Sequence, residues 1–196
     1  MLKRLFDILL SLTSLVILLP VFIFIAIWII LDSRGGAFYK QSRVGRYNRD
    51  FNLIKFRTMF VNSDQLGLLT IGAKDKRITR AGKFLRKYKL DEFPQLWNIL
   101  TGEMSFIGPR PEVRKYVELY TPSQLNVLNA RPGLTDYASM KYIEESKLLG
   151  ESDDPDKTYV EVIMPAKLEL NQKYIEEQSL GTDIKILFRT IRNIFF

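Results

Sequence analysis

Two adjacent carboxylates, Asp91 and Glu92, stand in "YKLDEFPQLWNIL", residues 88–100, ahead of Phe93, Pro94 and an apolar run. An ionised Asp can bind Mg²⁺ or attack phosphorus to give an acyl phosphate. A structural role is the stronger reading on local evidence: Asp91 as N-cap, Glu92 in the first helical turn, Pro94 tolerated there. Successive helical residues point about 100° apart, so the pair cannot both face one small target squarely. Three neighbours favour chemistry. Eight basic residues lie between Lys74 and Lys89, Arg86 among them, with only Asp75 opposing. "KFRTM" lies upstream with Lys55 and Arg57, and "SFIGPRPEV" follows with Arg110 in a rigid turn. A guanidinium suits phosphate oxygens, and an Asp ringed by Arg and Lys is expected to stay ionised.

Composition narrows the chemistry. The 196 residues hold 29 Lys and Arg against 22 Asp and Glu, a net charge of +7, with a pI of about 9.5. An anionic partner is implied: nucleic acid, lipid headgroups or a phosphorylated substrate. There is no Cys and no His. That excludes disulfides, Cys/His zinc sites and catalysis through Ser-His-Asp or Cys-His. Any metal is held by oxygens, which favours magnesium, manganese or calcium.

The elements that must position these residues begin with an apolar run. Residues 8–31, "ILLSLTSLVILLPVFIFIAIWIIL", are 24 residues without a charge. As one straight helix this is roughly 36 Å, enough to cross a bilayer. Pro20 removes a backbone hydrogen bond near its middle and bends it. Basic residues flank both ends: Lys3 and Arg4 before, Arg34, Lys40, Arg43 and Arg46 after. Basic flanks prefer the cytoplasm, so a dip into one leaflet and a kinked single span both stay open on these features.

Beyond it, "AFYKQSRVG" and "DFNLIKFRTM" alternate around the turn "GRYNRD" and predict a hairpin. Residues 62–75 read as a loop. A helix is expected from Thr79, another from Asp91 to Leu100, and shorter ones over 114–120 and 123–129. "TGEMSFIGPRPEV" reads as a loop, "ARPGLTDYASMKY" as a turn then an extended stretch, and "GESDDPDKT" as an exposed acidic loop. Residues 160–178 read as a helix. In "DIKILFRTIRNIFF", Ile184, Leu187, Phe188, Ile191, Ile194 and Phe195 share one helical face, away from Lys185, Arg189 and Arg192. That is the pattern of an interfacial amphipathic helix. The reading is α+β: mostly α with a small β-hairpin, an anchor over 1–35 and a membrane-associated cytoplasmic domain over 36–196.

"LDEFPQLWNILTGEMSFIGPRP", with "KFRTM" and "ARPGLT", resembles the monotopic phosphoglycosyl transferases, the bacterial sugar transferase family, over nearly the whole chain. The resemblance implies transfer of a sugar 1-phosphate from a nucleoside diphosphate sugar, usually UDP-linked, to polyprenyl (undecaprenyl) phosphate. It implies UMP as the other product, a place at the first membrane step of bacterial glycan assembly, and the cytoplasmic face of the inner membrane. It implies a re-entrant N-terminal helix broken at Pro20, which favours the dip. By position, Asp91 would be nucleophile and Mg²⁺ ligand, and Glu92 would support the metal and orient the site. Arg86 and Arg110 would hold phosphates, with Lys55 and Arg57 of "KFRTM" nearby and Arg131 of "ARPG" touching substrate. The sequence departs from the family after Arg-Pro-Gly. Asp136 replaces a Gly, an Asn-Gly-Arg stretch is missing, and Lys141 is the nearest basic residue. The competing class is a membrane-anchored basic scaffold without catalysis. A nucleic-acid partner is not expected, since no nucleic-acid motif accompanies the basic run. An interfacial homodimer stays open.

Overall fold

The computed structural model describes residues 2–63, 67, 69 and 75–195. The loop expected over 62–75 falls mostly outside these residues, as does Lys74 of the basic run. The chain is mostly helical around a small antiparallel hairpin, as expected.

Helix α1 (Leu2–Asp32) contains Pro20 and continues past it, so the helix is bounded by Leu2 and Asp32 rather than by the proline. Strands β1 (Phe38–Val44) and β2 (Asp50–Phe56) pair from Phe38↔Phe56 to Val44↔Asp50. The chain reverses between them through Tyr47 and Asn48, both at φ near +60°. Helix α2 (Arg80–Lys87) is capped by Thr79, whose hydroxyl accepts from the Gly82 amide at 3.0 Å. Helix α3 (Gln95–Thr101) starts after Pro94.

Asp91 caps neither helix. It lies in a 3₁₀ turn, Leu90–Glu92, preceded by Lys89 in the left-handed conformation at φ 55°. The expected N-cap role is corrected accordingly: the reversal at Lys89, not a side-chain cap, launches this segment.

The "SFIGPRP" and "ARPGLT" blocks meet as a short parallel pair, β3 (Ser105–Ile107) with β4 (Gly133–Thr135). Neither strand was legible as a pair in the sequence. A Cβ on Gly108 would sit 2.3 Å from the Arg131 carbonyl oxygen, and one on Gly133 2.1 Å from the Gly108 nitrogen. The two blocks can cross this closely only as glycines. Helix α4 (Arg114–Val117) and a 3₁₀ turn, Gln124–Asn129, lie between them. The stretch expected to be extended after β4 is instead helix α5 (Tyr137–Lys141), capped by Asp136. Only the middle of the expected acidic loop over 150–158 is loop: α6 (Glu145–Gly150) ends at its first residue, and its last four form α7 (Pro155–Thr158), which Asp154 caps by accepting from the Lys157 amide. The helix expected over 160–178 opens as a π turn at Tyr159–Ile163 and continues as α8 (Met164–Glu176). A wide turn just ahead of Pro165 accommodates the missing amide. Helix α9 (Leu180–Phe195) closes the described chain.

Helix α1 is docked at both ends on the same body. Near its start, Lys3 donates to the Ile107 carbonyl at 3.0 Å and pairs with the buried Asp183 of α9. Arg4 donates to the Leu100 carbonyl at 2.8 Å. The buried Asp7 accepts from the Ser105 hydroxyl and the Phe106 amide, each at 3.1 Å. Near its end, Ile25 and Ile29 pack with Phe56, Ala81 and Leu85, and Asp32 accepts from the Ala81 amide at 3.0 Å. Between these anchors the helix exposes Val16, Ile17, Leu19, Ile23 and Phe24.

Helix α9 has three faces. Asp183 and Ile186 are buried against the domain, Lys185, Arg189 and Arg192 are exposed, and Leu180, Ile184, Phe188 and Ile191 form an exposed apolar stripe. Leu187, expected on that stripe, turns inward and packs on the core around Ile107 and Tyr174. Ile184, Phe188 and Ile191 lie on the apolar face as expected, and the side chains of Ile194 and Phe195, also expected there, lie outside those described.

Asp7→Ala strands the Phe106 amide and the Ser105 hydroxyl. It should cost about 2 kcal/mol and lower the Tm in detergent by roughly 4–8 °C. Leu9→Ala, on the exposed side of α1, should shift the Tm by less than ~2 °C. An Asp7→Ala protein as stable as the parent contradicts the anchoring.

Candidate active site

A cleft of about 970 Å³ runs through the domain, and Lys55, Arg86, Asp91, Glu92 and Arg110 all line it. Each comes from a different local device. Lys55 lies on β2 opposite Tyr39. Asn98 of α3 ties the acidic segment to that strand: it accepts from the Ile54 amide at 3.0 Å and donates to the Asn52 carbonyl at 2.8 Å. Arg86 comes from the last turn of α2 and donates to the Thr58 hydroxyl at 2.9 Å. Arg110 follows the Gly108–Gly133 crossing.

The two carboxylates have different partners. Glu92 is gripped by both terminal nitrogens of Arg110, one of them at 3.2 Å, and Lys55 lies 3.9 Å away. Burial alone would raise the Glu92 pKa, but Arg110 and then Lys55 outweigh it and hold the carboxyl at about 2. Asp91 is only 8% exposed, and burial followed by the charge on Glu92 raises its pKa. Lys55, Arg86 and Lys89 pull it the other way without reversing the shift. The sequence-based expectation of a fully stabilised Asp91 anion therefore omitted its burial and its neighbour. Burial also lowers Lys55 to about 8, with Glu92 opposing.

Asp136, the departure from the family pattern, is fully buried and structural. It accepts from the Arg110 backbone amide at 3.1 Å and from the Ser139 amide at 2.6 Å. The Leu134 carbonyl accepts from the Arg110 guanidinium at 3.1 Å. Asp136 thus holds the "GPRP" turn in place and starts α5, which forms one wall of the cleft.

Arg57 is committed elsewhere. It donates to the Gly36 carbonyl at 2.6 Å, the Ser33 hydroxyl at 2.7 Å and the Ser33 carbonyl at 2.9 Å, binding the end of α1. Arg131 is absent from the cleft lining, and the charged groups acting on it are Arg4, Arg46 and Asp7. Neither residue joins the cluster around Asp91. From the basic run, Lys83, Lys87 and Lys89 join Arg86 along the cleft, whereas Arg77 is spent on Asp75 at 2.7 Å.

Sequence reasoning missed the far wall. Two ion pairs stand there, Arg43 with Glu112 at 3.0 Å and Lys167 with Glu145 at 2.8 Å. Asn171 Oδ1 and Ser139 Oγ are buried in the same wall without a protein partner. These residues are scattered over β1, the residue after "GPRP", α5, α6 and α8, and only Glu112 falls in a motif that the sequence singles out.

The whole chain, residues 1–196, matches the family described as Bacterial sugar transferase, and it belongs to that family. It is 38% identical over 195 residues to the UDP-N-acetylgalactosamine-undecaprenyl-phosphate N-acetylgalactosaminephosphotransferase of Aeromonas hydrophila, covering 98% of this chain and 43% of that protein. It is 34% identical over 194 residues to the UDP-glucose:undecaprenyl-phosphate glucose-1-phosphate transferase of Escherichia coli K12, covering 97% of this chain and 39% of that protein. It is 32% identical over 206 residues to the exopolysaccharide production protein ExoY of Rhizobium meliloti 1021, covering 97% of this chain and 84% of that protein. The chain thus spans less than half the length of the first two and most of the third.

The site sets a pH dependence. Glu92 has a pKa of about 2 in the fold against 4.5 unpaired, so its ion pair stabilises the fold above pH ~4.5 and is lost as pH falls toward ~2. Lys55 gives a slope of the same sign in a higher window, because burial disfavours its charged form in the fold. At about 8 against 10.5, the unfolded chain holds the extra proton between those values, and stability rises with pH there. Glu92→Gln should flatten the Tm–pH curve below pH ~4.5. A curve of unchanged slope contradicts the assignment.

Proposed function

We propose that this chain transfers a sugar 1-phosphate from a UDP-sugar to a polyprenyl phosphate at the cytoplasmic face of a bacterial cytoplasmic membrane, opening glycan assembly. The observation that carries this reading is the site itself. One carboxylate, Asp91, faces a cleft ringed by Lys55, Arg86, Lys89 and Arg110, while its neighbour Glu92 is neutralised by Arg110. The names of the relatives supply the substrate class: UDP-sugars and undecaprenyl phosphate.

Chemically, an Asp91 carboxylate oxygen attacks the phosphorus that bears the sugar. The bond from that phosphorus to the bridging oxygen breaks, and UMP leaves with the electron pair. A phosphate oxygen of the polyprenyl phosphate then attacks the same phosphorus and frees the carboxylate. The raised proton affinity of Asp91 makes it a better nucleophile than an ordinary aspartate once it is ionised. Arg86 and the cleft lysines offset the charge that collects on the leaving phosphate.

Mg²⁺ is commonly held by one or two carboxylates together with substrate phosphates. Among the described residues no cluster of three or more acidic side chains could cage a metal. Asp91 with a diphosphate suits the commoner arrangement, and Glu92, held by Arg110, would orient Asp91 beside it. Bound there, the ion would supply neutralisation of the diphosphate charge.

The docking of α1 supports a re-entrant course in the membrane. A helix docked at both ends on one domain and apolar between them can enter one leaflet while both ends stay on the same side. A single crossing would carry one docked end to the far surface. The α9 stripe then lies at the same interface.

The test is UMP release from a panel of UDP-sugars by detergent-solubilised protein with undecaprenyl phosphate and Mg²⁺. Release should depend on the sugar, stop with EDTA, and fall by about 1,000-fold or more in Asp91→Asn. Asp91→Asn working as well as wild type contradicts the proposal. Arg110→Lys keeps the charge but loses the fork and should lower kcat/KM by about 100-fold. Full activity in Arg110→Lys removes the fork from the mechanism.

A further inference from the structure

A second cationic cluster lies outside the cleft, where the N-terminal end of α1 meets the "ARPG" block. Arg131 stands between two fixed points. The Asn129 carbonyl accepts from Arg46 Nε at 2.8 Å, and the Pro132 carbonyl accepts from the Ser105 amide at 2.9 Å. The Ser105 hydroxyl in turn binds Asp7 of α1, and Arg4 lies three residues before Asp7, on the same side of that helix. Arg4 is held at the end of α3 by the Ile99 and Leu100 carbonyls, the latter at 2.8 Å. Three arginines thus converge. Burial, and then the charges of Arg4 and Arg46, lower the Arg131 pKa. The carboxylate that acts the other way, Asp7, is buried and committed to Ser105 and Phe106. The Arg131 side chain makes no hydrogen bond or ion pair among the described residues. None of the three arginines lines the cleft around Asp91. Tyr47 completes the cluster, its backbone left-handed at φ 59° and its exposed ring centred 4.5 Å from the guanidinium carbon of Arg46.

We infer that Arg4, Arg46 and Arg131 bind the phosphate of an anionic phospholipid of the bilayer that receives α1. The inference is separate from the transferase chemistry and needs only the outer face of α1 in lipid. Three observations choose this ligand. Like charges held together without a free carboxylate are relieved by an anion, and guanidinium groups match phosphate oxygens. The cluster opens to the surface: Arg46 and Tyr47 are exposed, and Arg4 and Arg131 are half-buried. Leu2, Leu5 and Leu9, around Arg4 on α1, are exposed as well, so acyl chains meet apolar surface beside the headgroup. A soluble phosphate or a nucleotide has no use for that surface. A zwitterionic lipid brings its own ammonium to the phosphate and gains less from three arginines. Bound there, the anionic lipid holds the start of α1 at headgroup depth, with Tyr47 beside it as an interfacial aromatic.

The experiment uses the full chain in phosphatidylcholine nanodiscs with a small fraction of phosphatidylglycerol that carries a diazirine near its glycerol backbone. After photolysis, label should map to the peptides holding Leu2–Leu5, Arg46–Tyr47 and Arg131. Unlabelled phosphatidylglycerol should displace it, and added phosphatidylcholine or millimolar inorganic phosphate should not. Arg131→Gln and Arg46→Gln should each lower the displaceable label about fivefold. Arg192→Gln removes the same charge from the exposed face of α9 and should leave the label within about twofold of the parent. Arg131 has no bond to lose, so Arg131→Gln should melt within about 2 °C of the parent in detergent. It should also lose the rise in Tm that phosphatidylglycerol gives the parent. Arg46→Gln repeats the test at a second position. Displacement by inorganic phosphate makes this a soluble-anion site and overturns the lipid assignment. An equal loss of label in Arg192→Gln reduces the effect to net charge and overturns it too, as does label displaced equally by phosphatidylcholine. UMP release by the parent tests the transferase reading separately, so either reading can fall while the other stands.

Discussion

The ion pair between Arg110 and Glu92 is the constraint on which the site depends. Two adjacent carboxylates in a half-buried cleft repel each other, and burial penalises both charges. Arg110 resolves the conflict unequally. It takes both oxygens of Glu92 and holds that carboxyl at about 2, which leaves Asp91 to face the cleft with a raised pKa. Adjacency in sequence thus becomes a difference of environment, with one carboxylate held in an ion pair and the other facing the cleft with a raised pKa. Much of the surrounding structure can be understood as holding Arg110 in place: the glycine crossing of β3 and β4, the buried Asp136 beneath its amide, and the Leu134 carbonyl on its side chain.

That support reaches back to the membrane helix. Asp7 of α1 binds the start of β3, three residues before the glycine crossing. Lys3 binds the end of the same strand and Asp183 of α9. Helix α1 thus hydrogen-bonds the strand that leads into the "GPRP" turn, and α9 ties to it through Lys3 and to β4 through Thr190, so the two apolar helices and the site share one hydrogen-bonded frame.

Local patterns were legible in the sequence. The hairpin, the start of a helix at Thr79, the amphipathic stripe of α9 and the gathering of Lys55, Arg86, Asp91, Glu92 and Arg110 all rest on signals within a few residues or on the family motifs. What could not be read depends on partners distant in sequence. The β3–β4 pair joins two three-residue strands rich in glycine and proline surroundings, too short for an alternating pattern. Asp91 looked like an N-cap because nothing marks Lys89 as left-handed, a conformation usually signalled by Gly or Asn. Arg57 resembled its neighbour Lys55, but odd and even positions of an extended segment need not share an environment, and its donors meet the end of α1. Asp136 showed as a departure from pattern, and only its partners reveal that it supports Arg110.

The central claim is that Asp91 carries the phosphosugar between two displacements. The most direct measurement is peptide mass spectrometry of the protein incubated with its UDP-sugar and Mg²⁺, without acceptor, and quenched in acid. The account predicts a sugar-phosphate adduct on Asp91 that disappears when polyprenyl phosphate is added before the quench. Turnover with no adduct at any time, or an adduct on a different residue, would contradict it.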